Sequence, residues 1–177
     1  GALRGFLRES GAAVFPTEVS VPAWRRADGT GARLDCAFRV DGQQHFVDVT
    51  LRHPRAQKYC ARAAREDGAA AAIAEQAKRA RYPAVADAGL QEVTPFAVET
   101  FGRLGQAALK LVREAAARAA ERSLAFRAKG GAALTSRWLA AIACARVRGL
   151  HDSALAVWGE AAGCPSVFGP PGPLVLA

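Results

Sequence analysis

The sequence predicts a mixed α/β fold of the α+β kind, with a mixed central sheet flanked by helices and a C-terminal helical extension. Three patterns support this fold class. Apolar and polar residues alternate across residues 33–50, which indicates two short strands. The alanine-rich segment 57–81 is typical of helix, and an apolar run at 93–98 indicates one more strand. Strands and helices that follow one another in this way build a sheet covered by helices.

The first elements follow from local signals. Leu3, Phe6 and Leu7 recur at helical spacing, and Gly11 follows as a stop. The segment 13–24 reads as an extended edge strand, because two prolines interrupt it.

The later elements are mainly helical. The segment 57–81 is interrupted near Gly68 and ends at Tyr82. A long amphipathic helix is predicted over 102–126 and a last one over 134–162, with a linker at 129–131 between them. The last helix is either single or divided in two around Gly149.

These elements divide the chain into three parts. We expect a core unit over 1–128, a C-terminal helical extension over 129–162 and an irregular Pro/Gly-rich tail over 163–177. A chain of 177 residues suits one such domain. Because it starts without Met, we expect it to be a piece of a larger protein.

Composition excludes several classes of protein. No stretch of about 18 uncharged apolar residues is present, which argues against a membrane span. The four cysteines are widely spaced and show neither a C-x-x-C pair nor zinc-finger spacing. We therefore expect neither a structural zinc site nor a disulfide framework, and a reducing compartment fits best.

The net charge of +8 is concentrated in two segments. Residues 52–82 carry eight basic and three acidic side chains, and residues 101–148 carry ten and two. This distribution favours a polyanionic partner, with nucleic acid first and an acidic membrane surface second. The alternative is the solvated helix faces of an arginine-rich protein.

The hairpin at 33–50 places two carboxylates together. Asp41-Gly42 is a strong signal for a two-residue type I′ turn. With that turn Asp35 faces Asp48 across the strands, and Arg33 faces Thr50. The other face of the hairpin is apolar and is expected to pack against the core. It comprises Leu34, Cys36, Phe38, Val40, Val47, Val49 and Leu51.

Two opposed carboxylates predict a metal site. Their Cβ atoms would lie about 4.5–5.5 Å apart, where like charges destabilise a sheet. A divalent cation removes this repulsion, and carboxylates with a backbone carbonyl such as that of Val49 suit Mg²⁺ or Mn²⁺. Two alternatives remain: solvent-facing aspartates that each pair with an arginine, or a bulge that shifts the register.

Glu75 and Lys78 lie three residues apart near the end of the following helix, so they share a face. They form either a surface ion pair or part of the same site. In the second case Lys78 would hold an attacking water or stabilise a pentavalent phosphate, and Glu75 would orient Lys78 or join the metal shell.

Several segments resemble a known family. They are "RLD" at 33–35, "HFVDVTLRHP" at 45–54, "KRARYP" at 78–83, "PFAVETFGRLG" at 95–105 and "LTSRWLAAIACARV" at 134–147. Together they are similar to the PD-(D/E)XK nucleases, and most closely to the restriction-like endonuclease domain of early-branching, site-specific non-LTR retrotransposons. The resemblance runs over roughly residues 3 to 150.

The resemblance implies roles for individual residues. Asp35 and Asp48 would be metal ligands, and Lys78 would be the motif lysine, displaced onto the following helix as in the retrotransposon branch. In most of the superfamily that lysine occupies the position of Thr50. This departure leaves a weakened or inactive nuclease as an alternative. Leu34 replaces the motif proline, which has no chemical role.

The resemblance also implies an activity. It implies a Mg²⁺- or Mn²⁺-dependent DNA endonuclease that hydrolyses a phosphodiester by water attack and leaves a 5′-phosphate. In a retrotransposon this nick primes reverse transcription in the nucleus, and other domains of a polyprotein accompany the nuclease. Membrane association is not expected.

The residues around this site are predicted to contact DNA. Tyr82 would line the site, and the basic residues would contact backbone phosphates without reading sequence. They are Arg33, Arg52, Arg55, Lys58, Arg79 and Arg81.

Two rival functions remain open at this point. The same fold without turnover would be a nucleic-acid-binding module that keeps its DNA affinity when Asp48 is lost. An interaction scaffold with a chance hairpin would bind neither metal nor nucleic acid.

Overall fold

The computed structural model describes residues 2–16, 18–25, 29, 31–85, 91–123 and 130–162. Within these residues the chain is a mixed α/β protein, as predicted, with five helices and six strands. In chain order they are α1 (Ala2–Glu9), β1 (Ala13–Val14), β2 (Val19–Arg25), β3 (Gly31–Leu34), β4 (Cys36–Val40), β5 (Gln43–Arg52), α2 (Gln57–Ala63), α3 (Ala69–Arg81), β6 (Thr94–Glu99), α4 (Gln106–Arg122) and α5 (Gly130–Ala162).

The larger sheet has the strand order β1-β4-β5-β6. Its β5–β6 pair is parallel and its other pairs are antiparallel, so the predicted mixed sheet is confirmed. The segment between β5 and β6 contains α2 and α3, which provide the crossover that a parallel pair needs. Strands β2 and β3 form a separate two-stranded sheet.

The β4–β5 hairpin has the predicted turn and register. Asp41 and Gly42 both have positive φ, at 51° and 78°, as a type I′ turn requires. Cys36 lies opposite Val47, and Phe38 lies opposite His45. The local turn signal was therefore sufficient to set the pairing.

The prediction of one continuous strand from Arg33 to the turn is wrong, because the strand is interrupted at Asp35. Asp35 forms a bend that separates β3 from β4, and Arg33 pairs with Ser20 of β2 rather than with Thr50. Because β3 leaves the plane of the larger sheet to pair with β2, the ladder between β4 and β5 stops at Cys36.

The helical predictions hold with two changes: α4 begins at Gln106 rather than at 102, and α5 begins earlier than predicted. Gly68 has a φ of 79° and separates α2 from α3, as expected. The predicted linker at 129–131 is wrong from Gly130 onwards, because α5 begins there and continues through Gly149 as one helix. The tail at 163–177 lies outside the described residues. None of the described helices is long and apolar enough to cross a membrane.

The main hydrophobic core lies between the larger sheet, α1, α4 and the first turns of α5. Phe6 and Trp138 stack with ring centroids 5.0 Å apart, and both are buried. Leu134 is also buried in this core, so the start of the helical extension packs on the core unit. Trp24 is buried in a second cluster on the other side of the sheet.

The two faces of β5 differ from expectation. Val49 and Leu51, predicted to be buried, are 41% and 44% exposed because they border a cavity between the sheet, α1 and α5. Asp48 and Thr50 are instead only 6% and 7% exposed, on the face that packs against α3.

Candidate active site

The candidate site lies where β5 extends beyond β4. Pairing with β4 ends at Val47, and β5 continues to Arg52. The amide of Val49 donates a hydrogen bond to Asp35 Oδ2 over 2.7 Å. In an extended strand the N–H and C=O of one residue point to the same side, so the Val49 carbonyl also faces this open edge. Asp35 therefore occupies the place where a neighbouring strand would otherwise pair.

Asp35 and Asp48 come together as predicted, although Asp35 lies in a bend rather than in a strand. Burial raises the pKa of Asp35 above its usual value. The hydrogen bond from Val49 opposes this rise in pKa, whereas the hydrogen bond and the negative charge of Asp48 add to it. Two ionised carboxylates are therefore unfavourable here without a nearby cation.

Lys78 supplies one positive charge. Its Nζ donates a hydrogen bond to Asp48 Oδ2, and the two side chains are only 18% and 8% exposed. The Lys78 ammonium also lies 5.9 Å from the centre of the Tyr82 ring. The structure thus brings together Asp35, Asp48 and Lys78, which come from a bend, a strand and a helix.

The donor atoms at this edge fit a hard divalent cation. In the part of the chain that the structure describes, no cluster of three His, Cys, Asp or Glu side chains could hold a metal. The oxygen donors at this edge are the carboxylates of Asp35 and Asp48 and the Val49 carbonyl. Mg²⁺ usually binds through one or two carboxylates and keeps several waters, so this small set of oxygens suits Mg²⁺ or Mn²⁺.

A cavity of about 900 Å³ lies beside Asp35, which forms part of its wall together with Val49. Arg4 of α1 also lines it and donates a hydrogen bond to the backbone oxygen of Asp35 over 2.7 Å. Arg33 forms an ion pair with Glu18 at its rim. Sequence reasoning missed Arg4, whose only signal was its place on the polar side of the first helix.

Glu75 does not lie where the sequence predicted. It is 4% exposed, and its Oε1 accepts a hydrogen bond from the Ala107 amide over 2.9 Å. A negative charge at this place stabilises the N-terminus of α4. Gly105 is required beside it, because a Cβ there would overlap the Glu75 carboxylate. The contacts of Glu75 are those of a helix cap, which corrects its predicted role beside Lys78.

Glu99 caps α3 in the same manner. Its Oε1 accepts hydrogen bonds from the amides of Ala70 and Ala71, both over 3.1 Å. It is 5% exposed, so it is buried and paired. The two glutamates fix α3 and α4 against the end of the sheet, and α3 in turn positions Lys78.

Tyr82 is not available to contact DNA. It is 4% exposed, and its ring centroid lies 5.6 Å from that of Trp24 in the second core cluster. The prediction that Tyr82 lines an open site is therefore corrected. Its position next to the helix end suggested exposure, but the β2–β3 sheet covers it.

The predicted basic contacts fall into two groups. Arg55, Lys58 and Arg81 are exposed and remain candidates for phosphate contacts, although Lys58 and Arg81 also lie 4.7 Å and 6.0 Å from the ring centres of Tyr59 and Tyr82. The other three make polar contacts within the chain: Arg33 pairs with Glu18, Arg79 lies 3.9 Å from Glu92, and Arg52 donates to the Leu51 carbonyl over 3.1 Å.

The chain matches no protein-family model, no curated protein and no solved structure. Any assignment of function therefore depends on the chemistry of Asp35, Asp48 and Lys78 themselves.

Proposed function

We propose that this chain is a Mg²⁺- or Mn²⁺-dependent DNA endonuclease domain with a PD-(D/E)XK core. Its role would be to nick the target site of a non-LTR retrotransposon in the nucleus, as one domain of a larger polyprotein. The observation that carries this proposal is the convergence of Asp35, Asp48 and Lys78 at the open edge of β5.

Each residue has a distinct role in this proposal. Asp35, Asp48 and the Val49 carbonyl would hold the cation. When bound, Mg²⁺ would offset negative charge on the phosphate and lower the pKa of a water molecule. Lys78 can orient the attacking water or donate to the phosphate oxygens, on which charge develops during the reaction. Glu75 has no part in it, because its carboxylate caps α4.

The charges of the trio leave room for a cation. If both aspartates are ionised, Lys78 neutralises one of the two negative charges and one remains. Burial, together with the neighbouring Asp48 carboxylate, raises the pKa of Asp35, so the ionised form of Asp35 is disfavoured. A divalent cation would offset the remaining negative charge, and a phosphodiester would then balance the excess positive charge.

A second candidate function is a nucleic-acid-binding module without turnover. It is favoured by the direct ion pair between Lys78 and Asp48. This pair already satisfies one oxygen of Asp48, the more buried of the two carboxylates. In this case the basic surface formed by Arg55, Lys58 and Arg81 would bind DNA, and the trio would serve to hold α3 on the sheet.

Nicking of supercoiled plasmid tests the proposal. Wild type is incubated with Mg²⁺, with Mn²⁺ and with EDTA, beside Asp48→Asn and Asp41→Asn. Asp41 provides a matched control, because it is an exposed aspartate of the same hairpin at a turn position that asparagine also adopts. We expect metal-dependent nicking that Asp48→Asn abolishes and Asp41→Asn keeps. DNA binding by folded wild type without any nicking would instead support the binding module.

A further inference from the structure

Phe101 is an exposed aromatic residue held in a fixed position. It lies in the turn after β6 and is 66% exposed, more than any other large hydrophobic residue among those described. The His53 ring packs edge-on against it, with ring centroids 5.5 Å apart at 67°. His53 is held in turn by Thr100, whose Oγ1 lies 2.6 Å from His53 Nδ1. The Phe101 ring is therefore presented to solvent by its neighbours.

A groove opens beside this ring. It has a volume of about 750 Å³, and Phe101, Cys60 and Ala63 are among the residues that line it. The small side chains of α2 leave space opposite the aromatic ring. Ligand sites commonly have volumes of about 300–1,000 Å³, so a nucleotide can be accommodated here.

Basic and acidic side chains both line the groove. Arg55 and Arg103 are accompanied by Asp67 and Glu99, and Arg103 forms an ion pair with Asp67 over 2.8 Å. Arg146 of α5 donates to the carbonyl of Thr100 and so adds a positive charge behind the turn. Glu99 lies in the wall, but its carboxylate is occupied by the amides at the start of α3.

An aromatic face beside guanidinium groups is the arrangement that binds single-stranded nucleic acids. A base within a duplex has both faces covered by its neighbours, so only an unpaired or extruded base can stack on a side chain. We propose that Phe101 stacks on an unpaired base of single-stranded DNA, with Arg55 contacting the adjacent phosphate. This goes beyond cleavage, since binding in the groove does not require the carboxylates.

The groove and the candidate metal site can be reached by one strand of DNA. Asp48 of the candidate metal site and Arg52 lie four residues apart on β5, and the Arg52 carbonyl accepts a hydrogen bond from the amide of Thr100, which precedes Phe101. Four residues of a strand span about 13 Å at about 3.3 Å per residue. A nicked or opened strand could therefore extend from the site to Phe101.

Binding measured in EDTA tests this proposal without cleavage. The probes are fluorescently labelled oligo-dT and an abasic oligonucleotide of the same length, which has the phosphates but no bases. Stacking on one aromatic side chain is worth about 5- to 150-fold in affinity. We expect Phe101→Ala to lose this factor for oligo-dT and to leave binding of the abasic strand unchanged.

Three further variants sharpen the comparison. Val147→Ala removes another exposed apolar side chain, 54% exposed on α5, and is expected to bind oligo-dT as wild type does. Phe101→Trp is expected to retain affinity, and oligo-dT is expected to quench its added indole fluorescence. Arg55→Gln should weaken the binding of both probes, because its contact is to phosphate.

Each contrary outcome identifies a different error. Equal affinity of wild type and Phe101→Ala for oligo-dT would overturn the proposal, as would equal affinity of wild type for the two probes. Tighter binding of oligo-U than of oligo-dT would overturn the assignment to DNA. Phe101-dependent binding by a chain that fails to nick plasmid would support this inference and reject the nuclease.

Discussion

Lys78 and Asp48 form an ion pair between α3 and β5, although thirty positions separate them in the chain. Both side chains are largely buried, at 18% and 8% exposure. Removing one partner of such a pair leaves an uncompensated charge, which costs far more than losing a surface pair. The pair therefore links stability to the proposed chemistry.

Lys78→Met is expected to lower the free energy of unfolding by about 3 kcal/mol in EDTA, because two adjacent carboxylates lose their cation. Mg²⁺ should restore part of this loss if the carboxylates hold metal. Urea unfolding with and without Mg²⁺ measures both effects. Lys110→Met is the control, since Lys110 is 76% exposed and its partner Glu114 lies 3.8 Å away. A Lys78 variant that Mg²⁺ does not stabilise would argue against the metal site.

The pH dependence of stability should depend on Asp35. Burial raises the pKa of Asp35 in the folded chain above the ordinary value of 3.8. At a pH between 3.8 and this raised pKa, the folded chain holds a proton that the unfolded chain has released. Stability therefore falls as the pH rises from 3.8 through the raised pKa. Asp35→Asn removes this fall, and its advantage over wild type in EDTA should grow with pH across that interval. Asp41→Asn, measured in the same urea titrations, should not show that growth.

Lys78→Met should also lower the rate of plasmid nicking by about 10²-fold or more, the usual effect of losing a charge-stabilising donor. Lys78→Arg should keep part of the rate, because it keeps the positive charge. Rates are compared at saturating Mg²⁺ on variants shown to be folded. Lys110→Met again serves as the control, and nicking equal in Lys78→Met and wild type would exclude Lys78 from the reaction.

Glu75→Gln and Glu99→Gln should each cost about 1 kcal/mol, because each removes a negative charge from the N-terminus of a helix. Glu92→Gln is the matched control, with a side chain that is 61% exposed. Glu75→Gln should leave nicking intact at a temperature where it is folded. A complete loss of nicking by the folded Glu75→Gln variant would instead support the role in the candidate active site that the sequence predicted for Glu75.

Trp138→Ala tests whether α5 belongs to the core. Trp138 is 1% exposed, stacks on Phe6 and donates from Nε1 to Glu9 Oε2 over 3.1 Å. We expect a loss of about 3–5 kcal/mol in urea unfolding, as for other buried aromatic residues. Val147→Ala, on the same helix, should cost less than about 0.5 kcal/mol.

The sequence was informative where neighbouring residues decide the structure. The Asp41-Gly42 turn and the alternation around it set the register of the hairpin, and hence the approach of Asp35 to Asp48. Gly68 marked the break between α2 and α3 for a similarly local reason. These features depend on backbone preferences and side-chain period, which a single sequence contains.

Distant contacts explain what the sequence did not predict. Asp35 interrupts the strand because β3 pairs with β2, a choice made by packing rather than by the residues at 33–35. Glu75, Lys78 and Tyr82 lie within two turns of one helix end, yet they contact α4, β5 and the second core cluster respectively. Helical period shows which residues share a face, but it does not show which neighbour covers that face.

The open edge of β5 has a consequence for self-association. A strand that extends beyond its neighbour offers unpaired N–H and C=O groups to any other strand, including that of a second copy of the chain. Asp35 occupies the Val49 amide at this point, and charged groups at an edge discourage pairing between molecules. Asp35 thus also protects this edge of β5 from pairing with a second copy of the chain. Replacing Asp35 with a small apolar residue would free the Val49 amide and favour aggregation.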